Sequence, residues 1–357
     1  MKDRLIKSGK KNLDLYKAGG IKGVLKGEAP VVKIGIIGTG RHSRDNLLPC
    51  LPHLPVKVVS ACAKHRENAE LYGSAYGATE YYDNYEEMFD QSDIDAVICC
   101  VNGDVHPGVI ESALDRNLPL FVEKPAALNA ELLETLVAKN SKNIISVGFQ
   151  KRFAPVYASL KKFIDNEEYG KLHLLQMEFG VGAVSDRSDF IQDVGIHFID
   201  LLRFLLPDVN LRDIKGKTVS NKKNDLLVTF ESGDGSVIGT LMLSSNFHWN
   251  LSHERVFANF DESNVVAENL TELKISATSK TFLGLPTEKL FNVSTYENRT
   301  RPNFTPGTPT NSSLEISGFL PELRYFIDCV ITGKKQNISD LKNAMETQQL
   351  VERIINV

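Results

Sequence analysis

Val32-Lys33-Ile34-Gly35-Ile36-Ile37-Gly38-Thr39-Gly40-Arg41-His42-Ser43 decides how the chain is read. A short run rich in β-branched residues enters G-x-G-x-x-S, and a helical pattern follows. Gly38 permits the tight turn, Gly40 lets an anion approach the backbone, and the third position needs a small residue for close helix–strand packing, which Ser43 supplies. The first N–H groups of the following helix and its dipole favour a diphosphate. A Gly-rich hexapeptide alone is weak. Its place after a strand, before a helix and at the head of a βαβ array gives it weight.

Outward from that turn the same texture repeats. Apolar runs predict strands at Val31–Ile37, Val56–Cys62, Thr79–Tyr82, Ala96–Val101, Leu118–Val122 and Ile144–Phe149. Helical patterns fall between them at Asn46–Leu51, Glu67–Tyr76, Tyr85–Phe89, Pro107–Asp115 and Asn129–Ala138. Short continuous strands alternating with helices predict a doubly wound parallel sheet buried on both faces, with ligands at the carboxyl ends of its strands. Beyond about residue 150 helices are expected at Pro155–Asn166, Gly195–Leu205, Gly318–Ile331 and Leu341–Ile355. Strands are expected at Leu172–Phe179, Leu226–Phe230, Val237–Leu243, Arg255–Phe260 and Leu273–Ala277, with a hairpin turn at Glu231–Ser236 and a loop over 301–313. The expected class is α/β, with a second, α+β domain built on a large, mostly antiparallel open sheet. The expected boundaries are a basic extension over 1–30, a dinucleotide-binding domain over 31–149, and a second domain over 150–357, to which the family resemblance given below assigns substrate binding and oligomerisation.

The totals narrow the functions. Lys and Arg number 41 and Asp and Glu 45, a net charge of −4, which argues against a protein that coats nucleic acid. Hydrophobic residues at 42% and charged residues at 24% describe an ordinary folded chain. No apolar run is long enough for a membrane span. The five cysteines show no C-x-x-C pair, so neither a disulfide framework nor a metal site is expected, and the cytoplasm is the expected compartment. The basic stretch 1–30 lacks the apolar core of a signal peptide and is expected to pack on the body or on a neighbouring subunit.

The end of the second strand bears on the cofactor. NAD-binding units usually place Asp or Glu there, on the ribose 2′-hydroxyl. Here the chain reads Ser60-Ala61-Cys62-Ala63-Lys64-His65-Arg66, with no carboxylate. A small residue followed by cations leaves room and charge for a 2′-phosphate, so NADP is expected over NAD, with Ala63, Lys64 and Arg66 at the site.

Phe121-Val122-Glu123-Lys124-Pro125 follows the fifth strand. With the Gly-rich turn, this E-K-P resembles the signature of the Gfo/Idh/MocA family of oxidoreductases. Asn102-Gly103-Asp104-Val105-His106, Gly148-Phe149-Gln150-Lys151-Arg152-Phe153, Asp193-Val194-Gly195-Ile196-His197-Phe198-Ile199-Asp200 and the late Gly318-Phe319 segment resemble further family motifs in the right order. The resemblance runs from about residue 31 to the C-terminus. It implies a Rossmann domain that binds the dinucleotide through Gly38, Thr39, Gly40, Arg41, His42, Ser43, Val101, Asn102, His106, Glu123 and Lys124. It also implies a homo-oligomer formed through the large sheet. Ser43 replaces the third glycine, Asn102 a common proline, and Ser185–Gln192 a glycine-rich lead-in, so no specific sugar is implied.

Moving a hydride from a carbinol carbon requires the hydroxyl proton to leave. The site needs a base of near-neutral pKa and a cation to steady the developing alkoxide. His197 suits the first role, with Asp193 four residues earlier on one helical face to orient it. Lys124, at a strand end facing the crevice, suits the second. In the family the matching Lys, Asp and His are the catalytic and cofactor-positioning residues. The expectation is an NAD(P)-dependent oxidoreductase acting on a sugar, polyol or nucleotide-linked sugar. The alternatives are a relative that cleaves glycosides with a retained dinucleotide, or a dinucleotide-binding regulator. Asp200, Lys151 and Arg152 are weighed between substrate contacts and structural pairing.

Overall fold

The computed structural model describes residues 30–140, 143–184, 186–220, 223–249, 252–277, 281–282, 285–286, 296–300, 311–335 and 337–356. The expected extension over 1–30 lies outside them except for Pro30. Two compact units form. One takes the described residues as far as Gly148 together with Phe319–Met345, and the other takes Phe149–Gly318 with the residues from Glu346 onward.

The first unit is built on six parallel strands: β1 (Val32–Ile37), β2 (Val56–Cys62), β3 (Glu80–Tyr82), β4 (Ala96–Cys99), β5 (Leu120–Glu123) and β6 (Ile145–Gly148). Their order across the sheet is β3-β2-β1-β4-β5-β6. Every residue of β4, β5 and β6 is buried, which explains why these strands read as unbroken apolar runs. The chain direction across the sheet reverses between β1 and β4, so the crevice at their carboxyl ends is where a ligand belongs. Helices α1 (Arg66–Gly73), α2 (Tyr85–Gln91), α3 (His106–Asp115) and α4 (Ala130–Lys139) connect the strands. Asn84 and Asn129 cap α2 and α4, accepting from the N–H groups of Glu86 and Leu132 at 2.8 Å each.

One expected helix is different. In place of a single helix over 46–51 the chain makes a wide helical turn at Ser43–Leu47 and a narrow one at Leu48–His53. Pro49 and Pro52 lack the N–H groups that would bond to Asp45 and Leu48 in an α-helix, so the regular ladder cannot form.

The compact units divide the expected domain of 150–357. Helix α8 (Phe319–Thr332) belongs to the first unit. Its buried Phe319, Leu320, Leu323, Phe326 and Ile327 form one apolar face, with Phe326 6.0 Å from the ring of Phe121 on β5. Beyond it, Asn337 donates to the Ile145 carbonyl at 2.8 Å, and Ser339 exchanges bonds with Val147 through its backbone and hydroxyl. These bonds cover β6, the edge of the sheet.

The second unit carries an eight-stranded sheet, ordered β16-β13-β12-β11-β7-β10-β9-β8. The strands are β7 (Leu172–Gly180), β8 (Val209–Ser220), β9 (Lys223–Ser232), β10 (Ile238–Ser244), β11 (His253–Phe260), β12 (Ser263–Glu268), β13 (Glu272–Ala277) and β16 (Tyr296–Thr300); a separate short pair is β14 (Thr281–Phe282) and β15 (Leu285–Pro286). Only the β7–β10 pair is parallel, so the sheet is mostly antiparallel as expected. Helices α5 (Pro155–Asp165) and α6 (Ile196–Leu205) cover one face, with Phe198 of α6 stacked on Phe179 of β7 at 4.5 Å. A short α7 (Asn311–Ser317) starts inside the expected 301–313 loop, whose first ten residues lie outside the described ones. The division between units falls within α9 (Leu341–Ile355).

Candidate functional site

The first unit gathers one cluster at the carboxyl ends of β1, β4 and β5. Gly38 donates to the Cys62 carbonyl at 2.8 Å and holds φ of 92°. A Cβ there would lie 2.0 Å from the Cys100 carbonyl, so this wedge between β2 and β4 accepts only glycine. Gly40 is the opposite case: it is exposed, and a Cβ would meet nothing within 4 Å. Its bare backbone faces open space, as a diphosphate cradle requires. Thr39 and Ser43 are buried beneath the turn, while Arg41 pairs with Asp45 at 3.2 Å and His42 is partly exposed. Gly38→Ala is therefore expected to cost about 1–3 kcal/mol or more of stability through the left-handed φ and the clash, read as a fall of several degrees in melting temperature. An unchanged melt would remove the wedge from the account.

Along the second strand's end, Ala63 is buried and Lys64 and Arg66 are exposed, Arg66 opening α1. Carboxylates approach this strand end from elsewhere in the fold, and no local motif marks them. Burial, then Asp83 just beyond β3, then Glu87 push the Cys62 thiol up to about 12.

After β4, Val101 and the exposed Asn102 lead through a turn to His106, which is fully buried at the start of α3. Its Nδ1–H donates to the Pro125 carbonyl at 2.8 Å, and burial pushes its pKa down despite that bond. The ring is thus neutral, with the proton on Nδ1 and a buried Nε2 lone pair without a partner among the described residues. After β5, Glu123 is buried and Lys124 half-buried. One oxygen of Glu123 accepts the Lys124 N–H at 3.1 Å, and the other lies 3.3 Å from Nε2 of His42. A Cβ on Gly148 would come within 2.9 Å of this carboxylate, so glycine at 148 makes room for it.

Asp193 and His197 lie in the second unit, and not on one regular helix as expected. Asp193 sits exposed on a wide helical turn over Phe190–Gly195, and His197 is half-buried in the first turn of α6. Such wide turns within helices are frequent at functional sites. Gln192 exchanges two amide hydrogen bonds, 3.1 Å each, with the buried Gln348 of α9. Asp200 faces inward: Arg152 grips it with two bonds of 2.7 and 2.5 Å, and Thr347 adds a third at 2.9 Å. Lys151 pairs with Glu254 at 2.5 Å, and Tyr157 donates to the same carboxylate at 3.1 Å. Asp200, Arg152 and Lys151 are therefore structural pairs. Among the described residues no group of three or more His, Cys, Asp or Glu is gathered as a metal ion needs.

Residues 32–149 match the family described as "Oxidoreductase family, NAD-binding Rossmann fold" (GFO_IDH_MocA). Over these residues the chain is similar to the NAD-binding domain of the Gfo/Idh/MocA oxidoreductases. It is 29% identical over 221 residues to an inositol 2-dehydrogenase of Serratia proteamaculans (strain 568), spanning 58% of this chain and 66% of that protein, just under two thirds of its length. A dehydrogenase from Chromobacterium violaceum has the same fold, with a TM-score of 0.78 at 20% identity, covering 91% of this chain and 95% of that one. So does an oxidoreductase from Agrobacterium radiobacter, solved with NAD+, L-tartaric acid and magnesium, with a TM-score of 0.77 at 16% identity, covering 92% and 96%.

Proposed function

We propose that the protein is an NAD(P)-dependent oxidoreductase that moves a hydride between nicotinamide and a carbinol or keto carbon of a sugar, polyol or nucleotide-linked sugar. The observation that carries this reading is the cluster at the β1, β4 and β5 ends, where an open glycine backbone stands beside Lys124 and the buried Glu123. The open space at Gly40 and the filled space at Gly38 fit a dinucleotide diphosphate.

In this reading Gly38, Thr39, Gly40, Arg41, His42 and Ser43 hold the diphosphate. Ala63, Lys64 and Arg66 face the adenosine ribose, and Val101, Asn102, His106, Glu123 and Lys124 line the nicotinamide end. The nicotinamide, when bound, supplies the carbon that takes or gives the hydride. The protein supplies the proton handling. The Lys124 ammonium donates to the substrate oxygen and steadies its negative charge, His197 takes the hydroxyl proton, and Asp193 orients the imidazole or a substrate hydroxyl. The inositol 2-dehydrogenase relative supports a polyol as the substrate class. Spectrophotometric oxidation of a polyol and sugar panel tests the reading; no turnover with either cofactor on any member would end it.

The exposed Lys64 and Arg66 support NADP. Asp83, close enough to act on Cys62, favours NAD, as do the NAD-binding description of the matching family and the NAD+ in the Agrobacterium radiobacter structure. Lys64→Ala with Arg66→Ala is expected to raise the KM for NADP about tenfold or more and leave that for NAD within about twofold, since a 2′-phosphate bond to a cation is worth about 1.5–3 kcal/mol. Equal changes for both cofactors would refute the preference.

No helix among the described residues is long and apolar enough to cross a membrane. Five cysteines without a disulfide among the described residues support the cytoplasm. Exposed Leu227 and Ile238 on β9 and β10 support a homo-oligomer formed through the large sheet.

A further inference from the structure

We propose that Trp249, seated flat on the backbone of Gly182, is the platform on which the substrate stacks the C–H face of a sugar or cyclitol ring. This rests on the oxidoreductase reading above and narrows its substrate class to cyclic polyols. Trp249 is the only tryptophan of the chain, and it is 61% exposed. A Cβ on Gly182 would lie 2.3 Å from Cδ1, 2.5 Å from Nε1 and 2.6 Å from Cγ of the indole. Three such similar distances put the face of the ring, not its edge, over the glycine. Any larger residue at 182 would lift the indole from this seat. One face of the indole is thus held by backbone, and the other is turned to solvent.

Phe247 repeats the arrangement two residues earlier. Its ring covers Gly180, where a Cβ would meet Cδ2 at 2.4 Å and Cε2 at 2.5 Å. It also lies parallel to the His253 imidazole, at 8° and 5.7 Å between centroids. Nε2 of His253 is 2.8 Å from one Glu178 carboxylate oxygen, and Arg255 donates to the other at 3.2 Å. The Phe247 N–H donates to the Val181 carbonyl at 3.0 Å, which ties the loop after β10 to the chain leaving β7. The result is a fixed aromatic shelf with charged groups along one side. Glycine in or beside a strand weakens it and marks a close approach; here two glycines at alternate positions make seats for two rings. A sugar ring matches this surface. Its C–H groups meet the negative face of the indole, and its hydroxyls stand around the rim for polar partners. An open-chain polyol offers no such fixed face.

The place of the shelf links it to the proposed chemistry. β7 and β10 run parallel, so both leave the sheet at the same end. From β7 the chain runs on to Asp193 and His197, and from β10 to Phe247 and Trp249. Gly195, between Asp193 and His197, packs on Leu243 at the end of β10, where a Cβ would come within 3.1 Å of Cδ1. All of these residues belong to the second unit.

The emission of the sole tryptophan reports on the shelf directly. The full chain, with ADP-ribose present to fill the dinucleotide turn without accepting a hydride, is titrated with myo-inositol, D-glucose, D-sorbitol and uridine. At least one of the two ring polyols is expected to shift the emission saturably and to protect the indole from acrylamide quenching, and sorbitol and uridine to do neither. In turnover of the ring substrate, Trp249→Ala is expected to raise KM about tenfold and leave kcat within about twofold, the mark of binding shared by ground and transition states. Trp249→Phe, which keeps a flat ring, is expected to recover most of the loss, and Gly182→Ala, which displaces the indole, to resemble Trp249→Ala. An emission unmoved by both ring polyols, an equal response to sorbitol or uridine, or an unchanged KM in Trp249→Ala overturns this proposal and leaves the oxidoreductase reading standing. So does an indole already shielded from acrylamide in the free protein, the result expected where a second copy of the chain covers the shelf. No turnover of any sugar or polyol with either cofactor overturns both.

Discussion

Lys124→Ala is expected to lower kcat/KM for polyol or sugar oxidation by about 10²–10⁴-fold, the range that a positioned proton donor supplies, while dinucleotide Kd stays within about tenfold. The reason lies in where the residue stands. Lys124 is the first residue after the fully buried β5, its N–H tied to the Glu123 carboxylate at 3.1 Å, so its backbone is held on the rigid floor of the crevice. Alanine leaves that floor in place and removes the ammonium alone. Lys124→Arg keeps a charge but replaces the compact ammonium with a wider planar fork, and is expected to recover binding of the substrate oxygen without recovering rate. Steady-state kinetics of the three proteins beside calorimetric dinucleotide affinities separate these effects. Turnover by Lys124→Ala within a few-fold of wild type would take the residue out of the chemistry.

Asp200→Ala is expected to destabilise the protein by about 3–5 kcal/mol, because it strands the Arg152 guanidinium in the interior without its counter-charge. Arg152 is only 2% and Asp200 1% exposed, and Thr347 depends on the same carboxylate. Removing both charges together, as Asp200→Leu with Arg152→Met, is expected to cost less than the single change, since the attraction of a buried pair is largely offset by its desolvation. Denaturant melts of the single and double variants test this. A double variant no more stable than Asp200→Ala would show that the pair contributes more than it costs. The single change is also expected to reduce activity at the assay temperature, because the carboxylate anchors the helix that carries His197.

What the residues revealed beforehand follows physical lines. The parallel sheet was legible because its strands are buried on both faces, and continuous runs such as Ala96–Cys99 have no competing pattern. The β8 strand was not, because an edge strand can carry Arg212, Asp213, Lys215 and Lys217 toward solvent without losing its pairing to β9. The break in the helix before His197 left no local mark, since Phe190–Gly195 reads as an amphipathic α-helix in composition. At the candidate site the Gly-rich turn and Glu123-Lys124 were visible as motifs. The approaches of His42 to Glu123 and of Asp83 to β2 were not, because each joins residues that only the completed fold brings together.

Helix α8 and the Asn337–Ser339 segment have a consequence for how the protein is made. The glycine-rich turn and all six strands of the first unit emerge early from the ribosome. The residues that cover Phe121 and the β6 edge emerge only after the whole of 149–318. Throughout that interval the nascent sheet carries an open apolar patch and an unpaired edge, the two features that invite association with other chains. Native closure of the dinucleotide domain is thus a late event in synthesis, and a chain cut after residue 318 is a candidate for aggregation even though every strand and glycine of its binding turn is present.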